Sequence, residues 1–137
     1  MDMGLTGKVA WVTGATGAIG REIAIRFAEE GARVAVSART PEAVTALTDE
    51  INAAGGEAIG VPADVTDPEA VKTAAETIVG AMGRIDVLAA TVAVPAFGPF
   101  LEIDADVFRK ALEVKYLGYI NCFQAVLPHM IAQNSGS

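Results

Sequence analysis

The chain has 137 residues, 52% of them hydrophobic, and a formal net charge of −7. That is one domain's worth of chain, with enough apolar residues for a sizeable core. The acidic balance argues against nucleic acid as a partner, because phosphate backbones reward Lys and Arg. Cys122 is the only cysteine, which rules out an intrachain disulfide and fits a reducing compartment. Residues 1–8 lack the basic n-region of a signal peptide and lead straight into the first apolar stretch. No apolar run approaches the ~20 residues of a membrane span. The expectation is a cytoplasmic protein with no membrane partner, built as a single domain over residues 1–137.

Lys8 to Thr13 reads as a buried strand, and the glycine-rich turn Thr13-Gly14-Ala15-Thr16-Gly17-Ala18-Ile19-Gly20 follows it. Glycines at 14, 17 and 20 let the backbone turn sharply and let a ligand approach without a Cβ in the way. A helix pattern starts at once, from Ala18 to Glu30, with Ile19, Ile23 and Phe27 at helical spacing beside Ala24 and Ala28. The first turn of a helix has unpaired N–H groups and a partial positive charge, which suits a phosphate. Strand, glycine turn and helix together predict the dinucleotide-binding start of a doubly wound α/β domain.

Gly31 stops the first helix, and Arg33 to Ala38 is the second strand. Thr40 and Pro41 open a helix carrying Val44, Leu47 and Ile51 inward as far as Gly55-Gly56. Ala58 to Pro62 is the third strand. Asp67-Pro68 repeats the cap-plus-proline start for a helix carrying Val71, Ala75, Ile78 and Val79, and Gly83 ends it. Ile85 to Ala90 is the fourth strand. After a loop at Pro95 to Pro99, a long helix runs from an Asp104 cap to about Gln133. Phe108, Leu112, Tyr116 and Tyr119 share one side of it, Val126 and Met130 continue that side, and Pro128 is placed to bend the last turns. Asn134 to Ser137 reads as a loop. The alternation predicts a parallel sheet with right-handed crossovers in a doubly wound α/β domain.

Several of these stretches together resemble the short-chain dehydrogenase/reductase family. They are Leu5-Thr6-Gly7-Lys8-Val9, the turn Thr13 to Gly20, Asp64-Val65-Thr66-Asp67, Gly83-Arg84-Ile85-Asp86-Val87-Leu88, Gly98-Pro99-Phe100-Leu101-Glu102 and Gln124-Ala125-Val126-Leu127-Pro128-His129-Met130. The resemblance spans the chain and implies a three-layer, Rossmann-type doubly wound parallel sheet of order 3-2-1-4, truncated after its fourth strand and a long helix, with that strand left as an exposed edge. It implies an NAD(P)-dependent oxidoreductase, transferring hydride between a nicotinamide and a carbonyl or alcohol. This chain would be the cofactor-binding half, inactive alone. The alternative is a non-catalytic nucleotide-binding or interaction module. By the same resemblance a homo-oligomer would form through the long helix, and the exposed fourth strand offers another pairing edge.

The chain departs from the family pattern at named places. Ala18 stands where the family's turn has its middle glycine, and Gly17 takes that load. Ala90-Thr91-Val92-Ala93 stands where the family has Asn-Asn-Ala-Gly, so Thr91 supplies one hydroxyl and no amide to tie the central strands. Lys115 stands in place of an asparagine that serves the family's proton relay, and it either reaches a polar pocket or is solvated. Tyr116 and Tyr119 are followed four residues later by Ile120 and Phe123, not by the lysine of the family's Tyr-x-x-x-Lys. No catalytic residue is assigned. The cofactor-binding set is Gly14, Thr16, Gly17, Ala18, Ile19, Gly20, Arg39, Asp64, Val65, Ala90 and Thr91.

The choice of cofactor turns on the end of strand two. A carboxylate there would accept from the ribose 2′-hydroxyl of NAD, but the position falls near Ala38, and Arg39 comes next. A guanidinium pairs with a 2′-phosphate, so NADP is favoured over NAD, the alternative being a surface arginine before a helix cap. The resemblance implies that Asp64 accepts from the adenine amine beside the Val65 backbone. Trp11 reads as core, and lone His129 has no metal cluster around it. Glu29, Glu30, Asp104 and Asp106 read as solvated or capping residues.

Overall fold

A computed structural model describes residues 2–137 as four strands and five helices. The strands are β1 (Val9–Thr13), β2 (Arg33–Ser37), β3 (Glu57–Gly60) and β4 (Val87–Ala90). They form one parallel sheet of order β3-β2-β1-β4. The helices are α1 (Ala18–Glu29), α2 (Pro41–Ala53), α3 (Pro68–Met82), α4 (Ala105–Leu112) and α5 (Gly118–Gln133). A π-helical turn, Glu113–Leu117, joins α4 to α5 into one helical run.

β1 is buried along its whole length, as a central parallel strand must be. Its side chains alternate between two cores. Val9 and Trp11 pack with α3 and α5 through Val71, Ala75, Ile78, Cys122 and Val126. Ala10 and Val12 pack with α1 and α2 through Ala24, Val44, Leu47 and Ile51. This is the three-layer arrangement that the family resemblance implies. Asp67 and Asp104 cap α3 and α4 as their positions suggest, accepting from the amides of Glu69 and Ala70 and of Asp106. Thr40 precedes α2 without a side-chain cap bond, and Pro41 starts that helix.

Three expectations are corrected. Ile19 is exposed instead of facing the core with Ile23 and Phe27, because the first turn of α1 points into the cleft described below. Leu112 and Tyr116 also face solvent. The buried side of the long helical run is Val114, Gly118, Cys122, Val126 and Met130 instead, at steps of four. The π-turn carries one more residue per turn than an α-helix would, and it sets this phase. Gly118 sits against Val65, where an added Cβ would lie 2.7 Å from Val65 Cγ2. Finally, the end of the chain is not a free loop. Ser137 N–H donates to Asp86 O, and Leu88 N–H donates to Ser137 O, both at 2.9 Å. This is the bonding of a parallel neighbour, so the outer edge of β4 is occupied opposite Val87. The helix continues through Pro128 to Gln133.

Two buried polar links cross the sheet. The indole N–H of Trp11 donates to Ser37 Oγ at 2.8 Å, and the Ser37 hydroxyl donates to Val61 O at 2.5 Å. Asp86 accepts from Val9 N–H at 2.9 Å and from Arg84 Nε and Nη2 at 2.8 and 2.6 Å. Burial pushes the Asp86 carboxyl up, but the Val9 amide and the Arg84 guanidinium outweigh it and hold the group below its ordinary 3.8. A lowered carboxylate stabilises the fold above its unfolded pKa, and that stability is lost as pH falls through the folded value.

Asp86→Ala is therefore expected to cost about 2 kcal/mol at neutral pH, measured by urea denaturation, and to lose less stability than the wild type on acidification below pH ~4. An equal acid response in both chains would contradict this role. Ser37→Ala strands the Trp11 N–H and the Val61 carbonyl, and is expected to lower the urea midpoint by an amount worth roughly 1–3 kcal/mol with no change in slope.

Candidate functional site

The C-terminal ends of the strands open on a cleft of about 400 Å³. In an open parallel sheet this is where ligands bind, beside the point at which strand order reverses. Here that point lies between β1 and β4. The turn after β1 forms the cleft's centre. Gly14 has φ +70°, and a Cβ there would lie 2.8 Å from Val92 N and 2.9 Å from the Thr91 carbonyl carbon. At Gly20 a Cβ would lie 2.5 Å from Thr91 Oγ1 and 2.8 Å from the Gly14 carbonyl carbon. These two glycines are therefore required by the approach of three backbones. Gly17 is the N-cap residue of α1, and Ala18 after it is exposed, so its methyl meets no steric obstacle.

The start of α1 differs from that of its neighbours. Glu42, Glu69 and Asp106 lie in the first turns of α2, α3 and α4. The first turn of α1 has no acid, and no side chain caps it. Its first helical bond is Arg21 N–H to Gly17 O at 2.8 Å, which leaves the amides of Ala18, Ile19 and Gly20 directed at the cleft without helical acceptors. The positive end of the helix dipole is thus uncompensated by protein. That donor set, in a turn that admits no Cβ at Gly14 or Gly20, fits the pyrophosphate of a dinucleotide.

Thr91 anchors this turn. Its hydroxyl lies 2.7 Å from Thr13 O and 3.3 Å from Gly14 O, and its amide donates to Thr13 O at 3.1 Å. A single hydroxyl thus ties β4 to β1, in the place where the family resemblance implies an amide.

At the β2–β3 end, Arg39 is exposed and has no ion-pair partner among the described residues. Asp64 lies across from it on the cleft wall. Asp64 Oδ1 accepts from the Thr66 amide at 2.9 Å and the Thr66 hydroxyl at 2.8 Å. The Thr66 amide is the main reason that its carboxyl sits below the ordinary value; burial opposes this, while the Thr66 hydroxyl and the charges of Arg39 and Lys110 add to it. Asp64 is therefore an anion at neutral pH with Oδ2 left to accept a further bond.

Ten of the eleven predicted cofactor residues line the cleft: Gly14, Thr16, Gly17, Ala18, Ile19, Gly20, Arg39, Asp64, Val65 and Thr91. Ala90 does not, since it pairs with Thr13 inside β4. Sequence reasoning missed Ala38, Thr40, Ala63, Val92, Ala93, Val94 and Val114. The first three are neighbours of residues already identified. Val92 to Val94 follow Thr91 as an apolar wall, and the π-turn brings Val114 to the cleft with no mark in the sequence. Lys115, the next residue, is exposed and does not line the cleft. Burial pushes the Cys122 thiol up to about 11, so it stays protonated. No group of three or more His, Cys, Asp or Glu side chains is placed to hold a metal among the described residues, and no described helix is long and apolar enough to cross a membrane.

Known proteins resemble the chain along nearly all of its length. The family model for short chain dehydrogenase matches residues 8–137. The chain is 36% identical over 135 residues to a short chain dehydrogenase of Pseudocercospora fijiensis, covering 97% of this chain and 44% of that one. It is 34% identical over 131 residues to the 3-oxoacyl-(acyl-carrier-protein) reductase FabG of Staphylococcus aureus, covering 95% of this chain and 53% of that one. Among solved structures, NAD+-bound xylitol dehydrogenase superposes with a TM-score of 0.91 at 35% identity, covering 96% of this chain and 51% of its own. A metagenomic short-chain oxidoreductase in complex with NADP does so with a TM-score of 0.86 at 36% identity, covering 96% and 60%. The chain thus spans about half the length of these relatives. Matched along nearly all of its own length by the family model and by these neighbours, the chain belongs to the short-chain dehydrogenase/reductase family of oxidoreductases, in its N-terminal part.

Proposed function

We propose that this chain binds NADP in the cleft between β2, β1 and β4, as the cofactor-holding part of an oxidoreductase. The observation that carries the reading is the acid-free, uncapped start of α1, facing the cleft behind Gly14, Gly17 and Gly20. The amides of Ala18, Ile19 and Gly20 would hold the pyrophosphate. Arg39, unpaired at the rim beyond β2, would take the 2′-phosphate through charge-assisted bonds. Asp64 would accept from the adenine amine, with Val65 and Val114 against the ring.

When bound, the nicotinamide supplies hydride chemistry toward a carbonyl or an alcohol. The residues of this chain orient the cofactor and exclude water from it. The serine and Tyr-x-x-x-Lys of the family have no counterparts among these 137 residues. The chain by itself is therefore expected to show no turnover, and measurable reduction of a simple ketone would overturn that assignment. Assembly belongs to the same reading. The outward stripe of Leu112, Tyr116, Phe123, Leu127 and Ile131 along the long helical run is apolar and exposed, which suits burial against a second copy.

The assignment of Arg39 is tested by titrating NADP and NAD against Arg39→Ala. NADP affinity is expected to fall roughly tenfold or more, the scale of a charge-assisted bond, while NAD affinity stays within about twofold, since NAD offers no 2′-phosphate for the guanidinium. An equal loss for both cofactors would remove Arg39 from the specificity role.

A further inference from the structure

α5 begins between the two walls of the cleft and holds each by one side-chain bond. The Tyr119 hydroxyl donates to Val92 O at 2.9 Å, on the wall that follows β4. Asn121 Nδ2 donates to Val65 O at 2.8 Å, on the wall that follows β3. Gly118, one residue before Tyr119, rests on the Val65 side chain. Val65, Val92 and Val114 all line the cleft. The π-turn and the first turn of α5 thus bridge the two walls, and both bonds end on carbonyls of cleft-lining residues. Burial pushes the Tyr119 hydroxyl above its ordinary 10.0, so it keeps its proton as a donor.

The sheet order separates what the two bonds govern. β2 and β3 lie on one side of β1, and β4 lies on the other. With Arg39 and Asp64 on the β2–β3 side, the adenosine half of a dinucleotide faces the Val65 wall. Its other half extends past the α1 turn toward the Val92 wall. We propose that Tyr119 and Asn121 are positioning residues for the cofactor, Tyr119 fixing the wall that receives the half beyond the pyrophosphate and Asn121 fixing the wall that receives the adenosine half. The inference rests on the dinucleotide reading given above. Neither residue touches the cofactor in this scheme, since each acts through a backbone carbonyl.

Removing one bond loosens one wall. The test compares two ligands, NADP and 2′,5′-ADP, which carries the adenosine half alone, on the full chain by calorimetric titration. Tyr119→Phe is expected to weaken NADP roughly three- to tenfold, the scale of one hydrogen bond, and to leave 2′,5′-ADP within about twofold. Asn121→Leu is expected to weaken both ligands by that same factor. General destabilisation would not produce this split. The inference is overturned if Tyr119→Phe changes neither ligand or both alike, or if Asn121→Leu spares 2′,5′-ADP. Failure of the wild-type chain to bind either ligand overturns the dinucleotide reading itself, and this inference with it.

Discussion

At the end of β1, three stretches of backbone converge on one hydroxyl. Thr91 Oγ1 lies within bonding distance of the carbonyls of Thr13 and Gly14, and Gly20 of α1 packs against the same atom. Much of the site depends on this meeting. It fixes β4 beside β1 at the point where the sheet reverses its order, and it holds the turn close enough that Gly14 and Gly20 must be glycine. The amides of the first turn of α1 consequently face the cleft. A longer side chain at 91 would have to displace the turn, and a shorter or apolar one would leave the two carbonyls to other donors. The candidate site and the sheet's central pairing thus share one contact.

The electrostatics follow from that geometry. The protein is acidic overall, with a net charge of −7, yet the first turn of α1 carries no acid. Carboxylates are placed where they cap other helices, pair with arginines or, as Asp64, stand at the far end of the cleft. An anion entering the cleft meets aligned amide dipoles and Arg39 first.

The sequence made the main frame readable because its signals are local and strongly patterned. Glycines at 14, 17 and 20 mark the turn, with 14 and 20 leaving no room for a Cβ, and Asp67-Pro68 and Asp104 mark helix starts by their own chemistry. Val44, Leu47 and Ile51 reach the core as their spacing requires. The misreadings arise where tertiary geometry resets a local pattern. Leu112 and Tyr116 fit a helical stripe with Phe108 and Tyr119, but both are exposed, and the buried face of the run passes through Val114, Gly118 and Cys122 instead. Ile19 fits the apolar face of α1, but it lies in the first turn of that helix, which lines the cleft. Val114 and Val92 carry no polar atom to mark them as cleft residues, and only packing brings them there. The bonds from Tyr119 and Asn121 to main-chain carbonyls 27 and 56 residues away leave no trace in the spacing of the chain.

Trp11 is the chain's single tryptophan, fully buried in β1, and its N–H reaches across β2 through Ser37 to Val61. It does not line the cleft. The protein therefore contains an intrinsic optical probe of its sheet. Shielded from water and hydrogen-bonded, the indole is expected to emit at short wavelength while the Trp11–Ser37–Val61 link is intact, with a red shift when the strands part and admit solvent. Unfolding of the central layer can thus be followed by fluorescence without a label.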